Sequence, residues 1–152
     1  MIVDVRVHLK PTQRIIADLG LNKDGDTQRY WTSEVMRRMV RYMPYRTGTT
    51  ATKLTFIRSS TEIEVAAPHA RMLYKGKVMV NAKTGKGPAL IPGVGYRYRK
   101  GTVLKATDRD LNFDTSKNPL AGPYWDQRMV AAEGDQLIAD LQAYVDRKKG
   151  KK

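Results

Sequence analysis

The sequence predicts an α+β fold in which a small antiparallel sheet packs against a long helix before it and a long C-terminal helix, with a long basic loop or arm between them. Apolar residues recur at helical spacing over residues 27–43 and again over 124–147, whereas they alternate over 54–67. Helical spacing indicates an amphipathic helix, and alternation indicates a half-buried strand. At 152 residues, the chain is expected to form a single domain that spans residues 1–152.

The segment before the first long helix predicts a strand, a short helix and a turn. Residues 2–9 alternate between apolar and polar side chains, which indicates a half-buried strand. Pro11 suits the first turn of a helix and Gly20 suits its end. The run at 22–26 has the composition of a calcium loop, but threonine and serine stand where that loop requires glycine and glutamate. We therefore expect a turn in which Asp26 caps the following helix.

Residues 27–43 show a strong helical signal. Apolar side chains recur at i, i+4, i+8 and i+11, and such a stripe predicts a buried face. Basic side chains occupy the other side, where they favour the C-terminal half of the helix because they meet the negative end of its dipole. Pro44 ends the helix because it has no N–H donor and disfavours helical geometry at the residue before it. The apolar stripe contains Trp31, Val35, Met39 and Tyr42, and the basic side contains Arg29, Arg37, Arg38 and Arg41.

A turn and a β-hairpin are predicted next. Residues 46–48 have the composition of a turn, with a glycine that tolerates positive φ. Residues 54–58 and 62–67 each alternate, and a polar pair of serines separates them, which predicts two strands joined by a short turn. Residues 70–74 are compatible with a helical turn or with another extended segment, and the sequence leaves both open.

The following segment is basic and free of acids. Residues 65–107 contain no acidic residue, and the whole chain has a net charge of +13, which attracts polyanions or acidic protein surfaces. Many glycines and prolines predict a long basic loop or arm at about residues 76–115, flanked by β segments at 77–80 and 102–105. Loops of this length in a compact domain are usually functional or disordered. The candidate contacts for an anionic partner are Arg71, Lys75, Lys77, Lys83, Lys86, Arg97, Arg99, Lys100 and Lys105.

Within this arm, residues 96–100 read Tyr-Arg-Tyr-Arg-Lys. On an extended strand the two tyrosines share one face and the two arginines the other. The tyrosines can then stack on bases while the arginines contact phosphates. The commoner arrangement is a strand that buries both tyrosines and leaves the arginines outside, and we expect this one.

A second long helix is predicted from Tyr124 to about Arg147, with Pro123 at its start. A glycine within its apolar stripe suggests a close approach of another helix, and Trp125 and Met129 form a second apolar pair. A flexible basic tail is expected at about residues 147–152. The predicted stripe contains Val130, Gly134, Leu137, Ile138, Leu141 and Val145.

No constellation of residues predicts catalysis. The chain has no cysteine, which excludes a thiol nucleophile, a disulfide framework and thiolate zinc sites. Gly85-Lys86 lacks the Ser or Thr of a phosphate loop, and residues 93–98 lack the third glycine of a dinucleotide-binding motif. His8 and His69 lie outside any ligand-spaced motif. We therefore expect a protein that is not an enzyme and that holds no cofactor or metal.

The chain is not expected to enter a membrane. Residues 1–7 have neither the basic leader nor the cleavage site of a signal peptide. No run approaches the roughly 18 apolar residues of a membrane helix. We expect the protein to be made in a cytoplasm and to leave it only inside something larger.

Three short segments, at 44–48, 68–76 and 111–129, together resemble the minor capsid and head–tail joining (neck, or tail-completion) proteins of long-tailed phages. The segment Ala-Gly-Pro-Tyr-Trp at 121–125 is the most specific, and the resemblance covers roughly residues 27–146. The chain departs from the family pattern at His69, where tyrosine is usual, and after Gly48, where the usual leucine and serine are missing. The residues that match the family motifs are Pro44, Thr47, Gly48, Gly76, Gly122, Pro123 and Trp125.

The resemblance implies a virion structural protein without catalytic activity. Its expected place is the neck, as a ring of six or twelve identical subunits between the head connector on the portal side and the tail terminator or tail tube proteins. The basic arm would then dock on acidic faces of neighbours or lie near the DNA path. The alternative is a basic nucleic-acid-binding module that uses the arm over residues 71–107.

Overall fold

Two long helices lie against each other in the structure, a computed structural model that describes residues 17–45, 49–67 and 69–150. Helix α1 spans Asp26–Met39 and continues as a single 3-10 turn at Val40–Tyr42. The elements that follow are α2 Thr49–Thr52, β1 Thr55–Ser59, β2 Glu62–Val65, α3 Ala70–Lys75, β3 Lys77–Asn81, β4 Ala89–Ile91, β5 Gly95–Arg97, β6 Leu104–Asp110 and α4 Trp125–Lys149. The α+β fold predicted from the sequence is confirmed, and the segment at 70–74 is helical.

Within the described residues the strands form three two-stranded antiparallel sheets, in which β1 pairs with β2, β3 with β6, and β4 with β5. The third pair lies between β3 and β6 in sequence. Residues 77–110 therefore form one continuous excursion, which we call the arm. The flank predicted at 77–80 is confirmed as β3, whereas the flank predicted at 102–105 overlaps only the start of β6. Within the segment predicted as loop, residues 89–97 form a further hairpin.

Some predictions fall outside the described residues. These are the strand at 2–9, the helix start at Pro11, the turn at 46–48 with its motif residues Thr47 and Gly48, the motif position Pro68 and the last residues of the basic tail, 151–152.

The core forms between the two long helices. Met39, Tyr42 and Met43 from the end of α1 meet Trp125 and Met129 of α4, together with a leucine further along that helix. Met43 and Met129 are fully buried. The predicted apolar stripe of the first helix is confirmed, since its remaining members, Trp31 and Val35, pack against this cluster.

The predicted β1–β2 hairpin is confirmed, and its register shows which residues face inward. Thr55 pairs with Val65 and Ile57 with Ile63, whereas Phe56 pairs with Glu64. Thr55 is buried, and Ile63 and Val65 pack against the core. Phe56 lies on the outer side with Glu64 and is exposed, because paired residues of an antiparallel ladder share one face.

The inward face of α4 agrees with the predicted stripe only in part, since Leu137 and Val145 are buried as predicted. The buried residues are Trp125, Met129, Leu137 and Val145, whereas Val130 and Ile138 are exposed. The buried positions fall at multiples of four residues, so the contact face turns slowly around the helix. The predicted second pair, Trp125 and Met129, is thus the start of the true stripe. Residues 147–149, predicted as tail, belong to the helix.

Gly134 does not mark a close helix approach, contrary to the prediction. A Cβ placed there would meet only Val130 Cγ1, at 3.6 Å, which is ordinary contact. The glycine therefore faces open space on the outer side of α4 rather than a neighbouring helix.

Two predictions about charged residues of α1 are also corrected. The N-cap is Gly25, and Asp26 is the first helical residue, where its Oδ1 accepts a hydrogen bond from the Thr27 N–H at 3.0 Å. Arg38 was placed on the solvent side but is buried. Its guanidinium pairs with Glu133 and Asp140 of α4, because the arginine-bearing side of α1 also touches that helix.

Candidate interaction arm

The arm is joined to the helices at a junction where two of the motif segments meet. The carbonyl oxygen of Tyr74, near the end of α3, accepts a hydrogen bond from the N–H of Tyr124 at 2.9 Å. The Tyr74 ring meets the rings of Tyr124 and Trp125 edge-on, with centroids 5.2 and 5.0 Å away. Its hydroxyl donates to Asp126 Oδ1 at 2.9 Å, and burial together with this bond raises the pKa of Tyr74. The end of α3 is therefore held against the start of α4.

Gly76 occupies the point where the chain leaves this junction and enters β3. It caps α3 in the left-handed conformation, with φ +64°. A Cβ at this position would lie 2.8 Å from Pro123 Cβ, so the backbone at Gly76 packs directly against the Pro123 side chain. The Gly76 carbonyl oxygen also accepts a hydrogen bond from the N–H of Leu111, which follows β6, at 2.9 Å. Both ends of the arm are thus held at one glycine.

The remaining described motif residues surround the same junction. Arg128 reaches back to donate a hydrogen bond to the Leu120 carbonyl oxygen at 2.8 Å, and its guanidinium lies 5.7 Å from the centroid of the Tyr42 ring. A Cβ at Gly122 would lie 2.5 Å from Arg128 Nη1, so the guanidinium packs directly over this glycine.

The chain just before Pro44 is bound to the loop that precedes α4. Asn118 Nδ2 donates to the carbonyl oxygens of Met43 and Arg41, each at 2.9 Å. The second and third segments that carry the family resemblance therefore meet at one junction, and Asn118 of the third also binds the chain just before Pro44.

The stem of the arm is the β3–β6 ladder, which pairs Lys77 with Asp110 and Val80 with Lys105. Met79 and Val80 are buried. The Thr107 hydroxyl donates to the Val78 carbonyl oxygen at 2.7 Å. The stem is therefore an ordered structure with buried side chains of its own.

The tip of the arm is the β4–β5 hairpin, residues 89–97. Leu90 pairs with Tyr96 in its register, so both side chains lie on the same face. Leu90 is 63% exposed and Tyr96 is 67% exposed. Val94, in the connecting turn, is exposed as well. Neighbouring apolar side chains left uncovered on one face make this hairpin a candidate interaction site.

Most of the predicted basic contacts are available on the arm or next to it. Lys77 is the exception, because it is half-buried and forms an ion pair with Asp110, whose hydrogen bond raises the pKa of Lys77. The exposed members of the predicted set are Arg71, Lys75, Lys83, Lys86, Arg97, Arg99, Lys100 and Lys105. The structure distributes them along the stem, the tip and the adjoining α3, which makes a broad basic surface rather than a single pocket.

The two tyrosines at 96 and 98 have different roles, contrary to the expectation that both are buried. Tyr98 is half-buried and donates its hydroxyl to the Met79 carbonyl oxygen at 2.7 Å, which ties the tip to the stem. Tyr96 remains exposed, because its hairpin has only two strands and the face with Leu90 is uncovered.

Sequence reasoning missed the apolar character of the tip. The charge pattern pointed to the arginines and lysines, whereas Leu90, Ile91 and Val94 lie exposed in the tip among glycines and a proline. The available signal was the pair of short apolar runs on either side of Pro92-Gly93, which together form a hairpin pattern.

A surface cavity of about 340 Å³ lies away from the arm, between the N-terminal end of α1 and the C-terminal end of α4. Asp26 and Lys148, which line it, form an ion pair with each other. Tyr144, also in its lining, stacks on Tyr30 with 4.1 Å between centroids. The charged and aromatic groups that line the cavity therefore bind to one another and hold the two helix ends together. They do not form a set of reactive side chains.

Among residues 17–45, 49–67 and 69–150, no cluster of three or more His, Cys, Asp or Glu side chains is arranged to hold a metal ion. Within those ranges, no helix has both the length and the apolar character that crossing a membrane requires.

Comparison of this chain with family models, with curated proteins and with solved structures found no match.

Proposed function

We propose that this chain is a virion structural protein of the phage head–tail neck, where a ring of six or twelve copies joins the head connector to the tail. The observation that carries the proposal is the arm itself. It is basic, it is held firmly at the Tyr74–Tyr124 junction, and it ends in an apolar tip that its own chain leaves uncovered. Such an arm suits contacts between subunits in a closed ring, which require two different surfaces on each copy.

The junction supports the resemblance on which the proposal rests. Gly76, Pro123 and Trp125 belong to motif segments that are distant in sequence, and they lie together around Tyr74. Matches that form one packed unit are better evidence of a shared fold than short matches that are scattered over a surface. The neighbours in the neck would be connector proteins on the head side and tail terminator or tube proteins on the tail side.

Removal of this chain from the phage tests the proposal. We expect filled heads and complete tails to accumulate without being joined, and restoration of the chain to rescue joining. Electron microscopy of intact particles should also show the protein in the neck. Its absence from purified particles would overturn the proposal.

A second candidate, a nucleic-acid-binding module, is favoured by the exposure of Tyr96 beside Arg97. An exposed ring next to basic groups suits stacking on a base with phosphate contacts nearby. This candidate predicts that the logarithm of affinity falls with the logarithm of salt concentration, with a slope of about 0.9 per phosphate neutralised on duplex DNA.

The double variant Arg97→Ala/Arg99→Ala separates the two candidates. A nucleic-acid module would lose binding, whereas the control Lys23→Ala/Arg29→Ala, which removes the same charge from exposed positions outside the arm, would retain it. A neck protein whose arm contacts only proteins would show the same weak, salt-sensitive DNA binding in both variants.

A further inference from the structure

The outer face of α4 presents a second uncovered apolar surface. Val130 and Ile138 are 57% and 61% exposed, and they lie eight residues apart on one side of the helix. Gly134 lies between them, and the space that its missing Cβ would occupy is bordered only by Val130 Cγ1. The result is a shallow apolar depression with a raised side chain at each end.

A carboxylate lies beside this apolar surface. Asp135, next to the depression, is exposed. The other acidic side chains of the helix have partners within the chain, since Glu133 and Asp140 pair with Arg38, Asp146 with Lys149, and Asp126 accepts a hydrogen bond from Tyr74. Asp135 is therefore the carboxylate that this face offers to a basic partner.

The arm tip has the complementary character. Its exposed pair, Leu90 and Tyr96, is apolar, and it is surrounded by a segment that has basic residues and no acidic ones. The hydrogen bonds that hold the tip run within the arm, as from Tyr98 to Met79, so the apolar face is not used for attachment to the rest of the chain.

We propose that the arm tip of one copy docks on the outer face of α4 of a second copy, with Leu90 and Tyr96 seated in the depression at Gly134. The basic side chains beside the tip, Arg97 foremost, then approach Asp135. The inference rests on the proposed function, because it supplies the contact by which the ring would close. It commits the arm to a protein partner, namely another copy of this chain, rather than to DNA.

Two features of this contact follow from the structure. It is heterologous, since it joins a tip to a helix and leaves a free tip and a free helix on the pair. Such a contact continues from copy to copy until a rotation closes it. Charge complementarity of this kind speeds association and selects the partner, and its effect weakens as salt rises.

Cysteine cross-linking tests the contact without background, because the chain has no cysteine of its own. Tyr96→Cys protein and Ile138→Cys protein are mixed and oxidised, both as purified chains at high concentration and within assembled particles. The matched control pairs Tyr96→Cys with Thr61→Cys, an exposed position on the β1–β2 turn. We expect about tenfold more covalent dimer from the first pair, because docked groups are held at high effective concentration.

A doubly substituted chain, Tyr96→Cys/Ile138→Cys, should form a ladder of covalent multimers that ends at the ring size. The additional change Asp135→Lys should reduce this ladder several-fold while leaving thermal unfolding unchanged, since Asp135 is exposed. Equal yields from the test and control pairs in both settings would overturn the inference. Cross-linking of Tyr96→Cys to a different protein of the particle would overturn it as well.

The result is distinguishable from failure of the neck proposal. If the chain lies in the neck but the tip and α4 do not cross-link, the docking site is wrong and the neck proposal stands. If the specific cross-link forms in a chain that is absent from particles, the self-contact stands and the neck proposal fails.

Discussion

Arg38 of α1 donates a hydrogen bond to Glu133 of α4, with 3.0 Å between Nη1 and Oε1, and it bonds to Asp140 through Nη2. The Arg38 side chain is only 8% exposed. Glu133 also forms an ion pair with Arg41, which lies in the 3-10 turn after α1, but the Arg41 side chain is 49% exposed. At this point the two long helices are joined by one buried cation and one exposed cation that share an acceptor, and the ion pair between Asp26 and Lys148 joins them again at the other end of α1.

This relationship predicts unequal costs for the two arginines. Arg38→Ala leaves two carboxylates without their buried partner, and we expect a loss of about 3 kcal/mol in the free energy of unfolding. Arg41→Ala is the matched control and should cost about 1 kcal/mol or less, because exposed ion pairs are weak. Urea denaturation of the two variants measures both values. Equal small losses would show that the buried network contributes little.

The same carboxylates predict how stability depends on pH. Burial raises the pKa of Glu133, but hydrogen bonds from Tyr42 and Arg38 and the charge of Arg41 outweigh it, so the pKa lies below its ordinary value of 4.5. The pKa of Asp140 is also lowered, by a hydrogen bond from Gln136, against burial, with Arg38 contributing a further bond. A carboxyl whose folded pKa is depressed adds stability that is complete above the unfolded pKa and is lost as pH falls through the folded one.

We therefore expect the free energy of unfolding to change little from pH 7 to pH 5 on account of these two groups. Below the ordinary values of 4.5 and 3.8 it should fall steeply. Denaturant titrations at a series of pH values measure this dependence. Glu133→Gln should flatten the acid limb of the curve relative to the native chain. An unchanged acid limb in that variant would place the sensitive groups elsewhere.

Gly76 is predicted to be less replaceable than Gly85, which shares its positive φ. Gly76→Ala must accept both the left-handed backbone and a contact at 2.8 Å with Pro123, and we expect a loss of about 2 kcal/mol or more. Gly85→Ala is the matched control, with φ +68° but nothing within 4 Å of the added Cβ, so only the backbone cost of about 1 kcal/mol applies. Thermal unfolding compares the two. Identical shifts would mean that the junction yields to the added methyl group.

Tyr96 and Tyr98 should respond differently to loss of their hydroxyl groups. Tyr98→Phe removes the hydrogen bond to the Met79 carbonyl oxygen, at an expected cost of about 1 kcal/mol. Tyr96→Phe should leave the stability of the isolated chain unchanged, because its ring is exposed. Amide hydrogen exchange in β3 should also rise in the first variant and not in the second. A stability loss at Tyr96 would indicate that the tip is packed in solution.

The helices and the first hairpin could be predicted because the spacing of apolar residues along a segment indicates its secondary structure without knowledge of its neighbours. The stripe from Trp31 to Tyr42 identified a buried face, and the flank predicted at 77–80 corresponds to β3, although the one predicted at 102–105 reaches only the start of β6. The prediction was less successful where two faces of a helix both carry apolar residues. On α4, Val130 and Ile138 fit a helical stripe as well as Trp125 and Met129 do, and only packing against α1 selects the second set.

The candidate site was predicted in its charge but not in its form. The acid-free segment was visible at once, and all but one of its selected basic residues are exposed in the described structure. The sequence did not show that the arm is an ordered structure. The hydrogen bonds that hold it, from Tyr98 to Met79 and from Tyr124 to Tyr74, join residues that are distant in sequence.

The sequence by itself determined the helix periods, the position of the basic arm and the absence of any thiol. The spacing of apolar side chains and the charge of a segment are local properties, so both can be read from the sequence without knowing the fold. Tertiary structure decided which side of α4 is buried, that Arg38 is enclosed, and that Tyr96 is exposed while Tyr98 is bound. Those outcomes depend on which neighbour removes a given side chain from water, and that neighbour comes from a distant part of the chain.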